Sequence, residues 1–312
     1  MKIRLFYFGV LFTVSSAFIS CQLEDSVGES TNYWDSNALT KNKLYGSVHI
    51  VVSKYMNYIG YIEFNREGNP ISSYQTAIGY GISDTSTMSV EYADGKQVKY
   101  TYVPDTRHPS IKTITNFEYG NTGKYIPQAS GLFSGTLSLI PSLSAEYSET
   151  SREDYIFYGS ELWIVKAEKG LPNDTTVVVY SGNYPSSFSN RSFECNRIVY
   201  AKNGMILSYS VLDKGSSTQI VYTFLPDSKY ELLDNVVTTD LRWENQTYRL
   251  YSYNNHKDLM EAVSDDDWSE RYTNYTYDKH GNWTSRKSYY RPNGTQSDWE
   301  EYGSTTQKCT YY

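Results

Sequence analysis

Apolar and polar positions along this chain alternate with a period of two, and turn residues interrupt the alternation at fairly even distances. The clearest stretch is Tyr275-Thr276-Tyr277-Asp278-Lys279-His280-Gly281-Asn282-Trp283-Thr284. Tyr275 and Tyr277, two residues apart, share one face of a strand. Asp278 to Asn282 carries turn chemistry, with Gly281 and Asn282 suited to positive φ. Trp283 to Tyr290 reads as the returning strand. The same apolar-x-aromatic step, followed by turn residues, recurs at Ile62/Phe64, Val90/Tyr92, Phe117/Tyr119, Ile198/Tyr200, Tyr222/Phe224, Tyr251/Tyr253 and Cys309/Tyr311. Weaker copies lie at Ala145/Tyr147 and Val178/Tyr180. Successive aromatic anchors stand 20 to 34 residues apart, which is room for two strands and two turns per unit.

The pattern predicts an all-β fold: an antiparallel meander of repeated β-hairpins forming a twisted or curved sheet, as a half-barrel, a sandwich or an open solenoid-like sheet. No window sustains a 3.6-residue apolar stripe with caps. The most apolar internal stretch, Ser130 to Ser144, holds Gly131, Gly135 and Pro141 and reads as strand and linker. The repeats are weakest around it, so about 125–155 is the natural seam if the protein has two halves. In the C-terminal third, Trp243, Trp268 and Trp299 each precede a Tyr-rich strand, which reads as a stacked core element repeated at equal depth.

Composition sharpens this picture. The 312 residues include 33 tyrosines against 11 phenylalanines. Tyrosine joins a large apolar ring to a hydroxyl at home near water, so it suits sheets with one face buried and the other wet. The formal charge is −7, and no basic run is present, so nucleic acid is excluded as a partner.

The N-terminus supplies an address. Lys2 and Arg4 precede an apolar run from Leu5 to Ile19, which has the layout of a secretion signal and is too short for a comfortable membrane span. Phe18-Ile19-Ser20-Cys21 resembles a bacterial lipobox, with Phe18 standing where Leu is usual. Residues 1–20 are then a lipoprotein signal peptide and Cys21 the lipidated residue, the competing reading being ordinary cleavage near Ser15-Ser16-Ala17. Residues 21–43 are polar and aperiodic and read as a flexible tether. Gln22-Leu23-Glu24-Asp25-Ser26 resembles the acidic export tags of surface lipoproteins of the Bacteroides group. Residues 44–312 are the hairpin-repeat region.

The Tyr-x-Tyr-Asp-x-x-Gly-Asn segment resembles the YD repeat of RHS-type proteins. It is still more similar to the degenerate copies found in lipoproteins of the Bacteroides group. The close match covers Tyr275 to Arg286, with Phe64 to Ile71 a fair second copy. In that family the motif is scaffold, so the resemblance implies a β-hairpin array and no particular activity. The lipobox and export-tag resemblances imply an outer-membrane location, at the cell surface or on the periplasmic face.

The inventory of reactive groups is thin. There is no zinc-protease motif, nucleophile elbow, phosphate loop or Cys-x-x-Cys, and Gly79-Tyr80-Gly81 lacks the context of a dinucleotide site. Of the four histidines, His49, His108, His256 and His280, the last two occupy equal places in their repeats and read as turn residues. Asp265-Asp266-Asp267 lacks the alternating spacing that wraps calcium and reads as a solvated turn. Glu300 and Glu301, adjacent on a strand, face opposite ways. Cys195 and Cys309 either pair or serve as small buried fillers. Asp25-Ser26-Val27 and Asp174-Thr175-Thr176 are weak matches to bacterial O-glycosylation sites. No cofactor or metal is expected. These residues lead to a non-enzymatic outer-membrane lipoprotein that presents an aromatic sheet face, with saccharide as the first partner to test. The alternatives are a structural envelope module that binds a protein through sheet edges, and a glycosidase whose carboxylates the sequence does not reveal.

Overall fold

The computed structural model describes residues 44–312, except 56–57, 78–84, 142, 227–231, 266–267 and 293–296. Signal peptide, Cys21, tether, the Asp25 match and Gly79-Tyr80-Gly81 thus lie outside the described residues. The alternation becomes strands almost throughout. The first six are β1 (Val48–Tyr55), β2 (Tyr58–Phe64), β3 (Pro70–Ala77), β4 (Thr85–Ala93), β5 (Lys96–Val103) and β6 (Thr113–Tyr119). A hairpin follows, β7 (Tyr125–Gly131) and β8 (Thr136–Pro141), joined through a 3-10 turn at Leu132–Ser134. Next come β9 (Leu143–Tyr147), β10 (Ser151–Tyr158), β11 (Glu161–Glu168), β12 (Asp174–Ser181), β13 (Tyr184–Ser189) and β14 (Phe193–Tyr200). The chain ends through β15 (Ile206–Asp213), β16 (Thr218–Pro226), β17 (Leu233–Asp240), β18 (Asn245–Tyr253), β19 (Leu259–Ser264), β20 (Ser269–Tyr277), β21 (Trp283–Arg291) and β22 (Glu300–Tyr311).

Every strand except β7 and β8 pairs antiparallel with its sequence neighbours, β6 joins β9 across the hairpin, and β22 joins β1. The sheet is therefore a closed barrel of 20 strands, not the half-barrel, sandwich or open sheet that the repeats suggested. Local alternation specifies hairpins but says nothing about whether the first and last strands meet. The 20-stranded sheet bypasses 125–141, inside the stretch where the seam was placed, by pairing β6 with β9. The stretch read as strand and linker is a hairpin that leaves the sheet.

Directly opposed residues on paired strands share a face, so the register sorts the side chains into two sets. One set holds the buried residues, including Leu162, Val178, Phe188, Cys195, Tyr209 and Val211. This is the concave, inner face, where neighbouring side chains converge. The other set carries cross-strand ion pairs: Lys99–Glu91 at 2.6 Å, Arg271–Glu261 at 2.5 Å and Lys287–Glu301 at 3.3 Å. The anchors Phe64, Tyr92, Tyr200, Tyr253, Tyr277 and Tyr311 fall on the inner face, as the repeat requires. The weak copy Ala145/Tyr147 does not: Ala145 opposes Glu118 and Asp154 on the outer face. The β9 segment re-enters the sheet after the hairpin in its own register.

Two cores form on the inner face. The β7–β8 hairpin lies across β10–β16, burying Ile126, Leu132 and Leu137 against Tyr155, Leu162, Tyr180 and Tyr209. Tyrosine hydroxyls hold its backbone: Tyr180 donates to the Tyr125 carbonyl (3.0 Å), Tyr209 to Leu132 (3.1 Å) and Tyr222 to Phe133 (2.6 Å). Gly135 is needed where it stands, at φ 80°, because a Cβ there would meet the Tyr222 ring at 3.3 Å. The smaller core, Val48, Val51 and Phe64 with Ile62, Cys309 and Tyr311 packed against it, sits where β22 closes onto β1.

Candidate functional site

One turn recurs at the strand ends. In Asn65–Asn69, Ala201–Met205, Asn254–Asp258 and Asp278–Asn282 the first residue's N–H donates to the fifth residue's carbonyl, and the fourth N–H donates back to the first carbonyl. The fourth position has positive φ each time, at Gly68 (80°), Gly204 (86°), Lys257 (62°) and Gly281 (90°). The turns also lock successive repeats. Tyr277 donates to Asp258 (2.8 Å), accepts from the Asn254 amide (2.7 Å) and lies under the His256 ring at 4.0 Å. Tyr311 repeats all three contacts with Asp278, Asn282 and His280. The histidines are thus turn residues that pack on the next anchor.

Between the two cores the inner face is left to two walls. Twenty strands enclose more cross-section than their own side chains fill, and the lining residues are correspondingly half-buried or, at Thr113, exposed. The β3–β6 wall is uncharged, with Gln75, Ser86, Met88, Tyr100, Tyr102 and Thr113 turned inward. The β17–β22 wall is aromatic and charged.

Near one rim of the charged wall, four rings form a belt. Trp268 stacks on Tyr290 with centroids 4.6 Å apart and planes 9° from parallel. Tyr302 meets Tyr290 edge-on at 5.0 Å and stacks on Tyr55 at 5.4 Å. Trp268 is 37% exposed and the three tyrosines half-buried. Burial, then Tyr302, pushes ionisation of the Tyr55 phenol far above its ordinary range, so it stays a neutral hydrogen-bonding group. Glu270 and Glu300 flank Tyr290 as its cross-strand partners. Tyr272 donates to Glu270 at 2.9 Å, and Tyr290 donates to Glu300. Deeper along the wall, the Arg286 guanidinium lies over Tyr272 (3.8 Å), Trp283 (4.6 Å) and Tyr275 (5.9 Å), and its Nη1 donates to the Tyr275 hydroxyl at 3.3 Å.

The belt was only partly legible in the sequence. Alternation puts Trp268 with Glu270, and Tyr290 on the matching face, but Tyr55 joins them only because β22 closes onto β1. The tryptophans are not a repeated core element: Trp243 is 70% exposed, Trp268 faces the lumen, and Trp299 is clasped between Arg271 (4.2 Å) and Arg291 (4.6 Å). Each sits beyond a strand end, where no sheet covers it. Glu300 and Glu301 do oppose each other, the first beside Tyr290 and the second on Lys287 outside. Asp265 accepts the Tyr248 N–H at 2.9 Å and ends its strand, while Asp266 and Asp267 lie outside the described residues. His108 pairs with Asp105 on an exposed loop, and Asp174 starts β12, accepting the Thr175 N–H. Cys195 belongs to the large core and Cys309 to the small one, both as free thiols, with burial pushing them up to about 12 and about 11. Among the described residues no group of three or more His, Cys, Asp or Glu side chains is placed to hold a metal ion.

No protein-family model matches the chain, and no curated protein does either. Solved structures similar to it include the Photorhabdus luminescens Tc holotoxin pore, at 10% identity and TM-score 0.35, covering 76% of this chain and 14% of that one. A porin-like protein from Bacteroides uniformis aligns over 90% of this chain and 100% of its own, at 10% identity and TM-score 0.35. A second, from Bacteroides vulgatus, aligns over 85% of this chain and 98% of its own, at 8% identity and TM-score 0.27. The chain thus spans about one seventh of the toxin chain, and at these scores none of the three carries an argument about its function.

Proposed function

We propose that this protein is a non-enzymatic outer-membrane lipoprotein whose barrel binds a saccharide on its aromatic inner wall. The observation that supports this reading is the belt Trp268–Tyr290–Tyr302–Tyr55 with Glu270 and Glu300 beside it. Aromatic faces take the apolar faces of sugar rings, and the flanking carboxylates accept from sugar hydroxyls. The two glutamates serve as acceptors rather than as acid and base, so a bound oligosaccharide stays uncleaved. A lipid anchor at Cys21 suits a barrel that hangs from the membrane better than one that crosses it. The outer face carries Lys54, Lys99, Arg271, Lys287 and Lys308 on its strands, and a basic residue at the bilayer midplane costs ~2–4 kcal/mol. Titration calorimetry against a panel of oligosaccharides tests the reading. Trp268→Ala and Tyr290→Ala are each expected to weaken binding at least tenfold with the fold intact by circular dichroism. Binding that survives both changes would refute it. For the anchor, Cys21→Ala is expected to move the protein out of the membrane fraction; a variant that still sediments and resists salt washing would overturn that part.

The rival reading, a structural envelope module that binds a protein partner through sheet edges, draws less support from a closed sheet. β1 and β22, the strands that would have been open, pair with each other.

A further inference from the structure

The inner wall is unevenly matched in donors and acceptors. Its carboxylates are served by the barrel's own tyrosines: Glu270 by Tyr272, Glu300 by Tyr290, and Glu153 by Tyr155 at 3.1 Å. The inward lysine of β11, Lys166, lies 3.8 Å from Glu153 and 3.9 Å from Glu168. The two inward arginines of β18 and β21 are different. Arg249 opposes Val236 and Ser264, and Arg286 opposes Thr305. Arg249 has the Tyr251 ring at 6.0 Å, and Arg286 has its three rings and the Tyr275 hydroxyl. Among the described residues no carboxylate forms an ion pair with either. In both, Nε is shut off from solvent without an acceptor while the residue as a whole is half-buried. What each guanidinium has left to offer a ligand is its Nη edge, which in Arg286 already gives one hydrogen bond to Tyr275 and which elsewhere forms paired hydrogen bonds with carboxylates, sulfates and phosphates.

Register sets the distance between them. Arg249 is level with Ser264 on β19; Ala262 is level with Glu270, and Glu270 with Tyr290. Arg286 lies four residues beyond Tyr290, so the two guanidiniums are six residues, about 20 Å, apart along the strands. Trp268, Tyr251, Tyr290, Tyr272 and Tyr275 stand on the same face between their levels. A single sugar cannot reach both arginines; an extended oligomer can.

We infer that the β18–β21 wall takes an acidic oligosaccharide, its rings laid along the aromatic track and its anionic groups received by Arg249 and Arg286. This rests on the saccharide reading above and adds the charge and the extended form of the ligand. Calorimetry with the full chain compares a hexamer of galacturonic acid, a chondroitin sulfate hexasaccharide and a neutral gluco-hexaose at 50 and 300 mM salt. At low salt at least one acidic oligomer is expected to bind tenfold or more tighter than the neutral one, with the advantage shrinking at high salt. The galacturonate hexamer carries carboxylates alone and the chondroitin oligomer carboxylates and sulfates, so tighter binding of the second would show that sulfate adds to recognition. Arg249→Gln, which removes the charge and keeps a polar side chain, is expected to remove most of that advantage without lowering Tm. Arg286→Lys, which keeps the charge but loses the paired hydrogen bonds, is expected to give a partial loss. Equal affinity for neutral and acidic oligomers, or an Arg249→Gln variant that keeps the acidic preference, would overturn this inference and leave the saccharide reading standing. If none of the three binds at either salt, this inference falls, and if the wider oligosaccharide panel also fails, so does the saccharide reading.

Discussion

Asn282 is 1% exposed and does the work of a strand. Its Oδ1 accepts the Tyr45 N–H at 2.7 Å, and its Nδ2 donates to the Tyr45 carbonyl at 2.9 Å and to the Tyr311 hydroxyl at 2.8 Å. One side chain thus ties the start of the described chain to its closing strand. Asn282→Ala takes those partners from the Tyr45 N–H and carbonyl; urea denaturation should show a loss of stability of ~1–3 kcal/mol, read from a lowered midpoint at unchanged slope. Its neighbour Gly281, at φ 90°, is a test of conformation alone, since a Cβ there meets nothing closer than Tyr45 at 3.8 Å. We expect Gly281→Val to destabilise by ~1–3 kcal/mol and Gly281→Asn by clearly less, because asparagine tolerates left-handed backbone and a β-branched residue resists it. Equal losses in the two variants would mean that crowding, not φ, holds the glycine. The excess of tyrosine over phenylalanine has its cause at this scale too. Tyr92, Tyr200, Tyr253 and Tyr275 each donate to a carbonyl at the start of the preceding strand: Pro70, Pro185, Leu233 and Leu259. Phenylalanine would pack there but leave those carbonyls without the bond.

Among the elements, the β7–β8 hairpin is the one that the repeat does not generate. It fills the inner side of β10–β16, where Ile126, Leu132 and Leu137 each gain ~1.5–3 kcal/mol from burial. Beside its return to the sheet, Glu146 on β9 directly opposes Glu153 on β10. Burial, then the Glu153 charge, pushes the Glu146 carboxyl up, against weaker pulls from Lys166 and Tyr155. With its folded pKa above the unfolded one, this group favours the fold fully below the ordinary glutamate range, and that contribution is lost as pH rises through the raised value. Thermal melts should therefore show Tm falling across that window, and Glu146→Gln should flatten the slope. A slope unchanged in the variant would assign the pH dependence to another group.

At the scale of the whole molecule, closure is what distinguishes this barrel from an array of hairpins. β22 contributes a full strand of backbone partners to both β21 and β1, and Tyr312 extends the contact through Ser47 and Phe64. Removing residues 303–312 strips both neighbours at once and opens two sticky edges in place of none. We expect the truncated chain to lose stability and aggregate, seen as a lower Tm and higher-mass species in light scattering. A monomeric truncation with an unchanged Tm would show that the ring does not need its last strand. Cys309 and Tyr311 lie opposite Val51 and Val48 of the first strand.

The sequence by itself determined what lies within a few residues of itself. A period of two, read with Gly281 and its counterparts, specifies strands, turns and the inward face of Phe64, Tyr200, Tyr253, Tyr277 and Tyr311, because side-chain direction in a strand is a local property. It also placed Glu300 and Glu301 on opposite faces for the same reason. Tertiary structure alone decided the rest. Whether β1 meets β22, where the hairpin of 125–141 comes to lie, and that Tyr55 stacks on Tyr302 depend on accumulated twist and on contacts across more than two hundred residues. A periodic pattern repeats identically whether its ends meet or stay apart, so nothing in it registers closure. The inner wall, with its belt and its two arginines, exists only because the ring is closed.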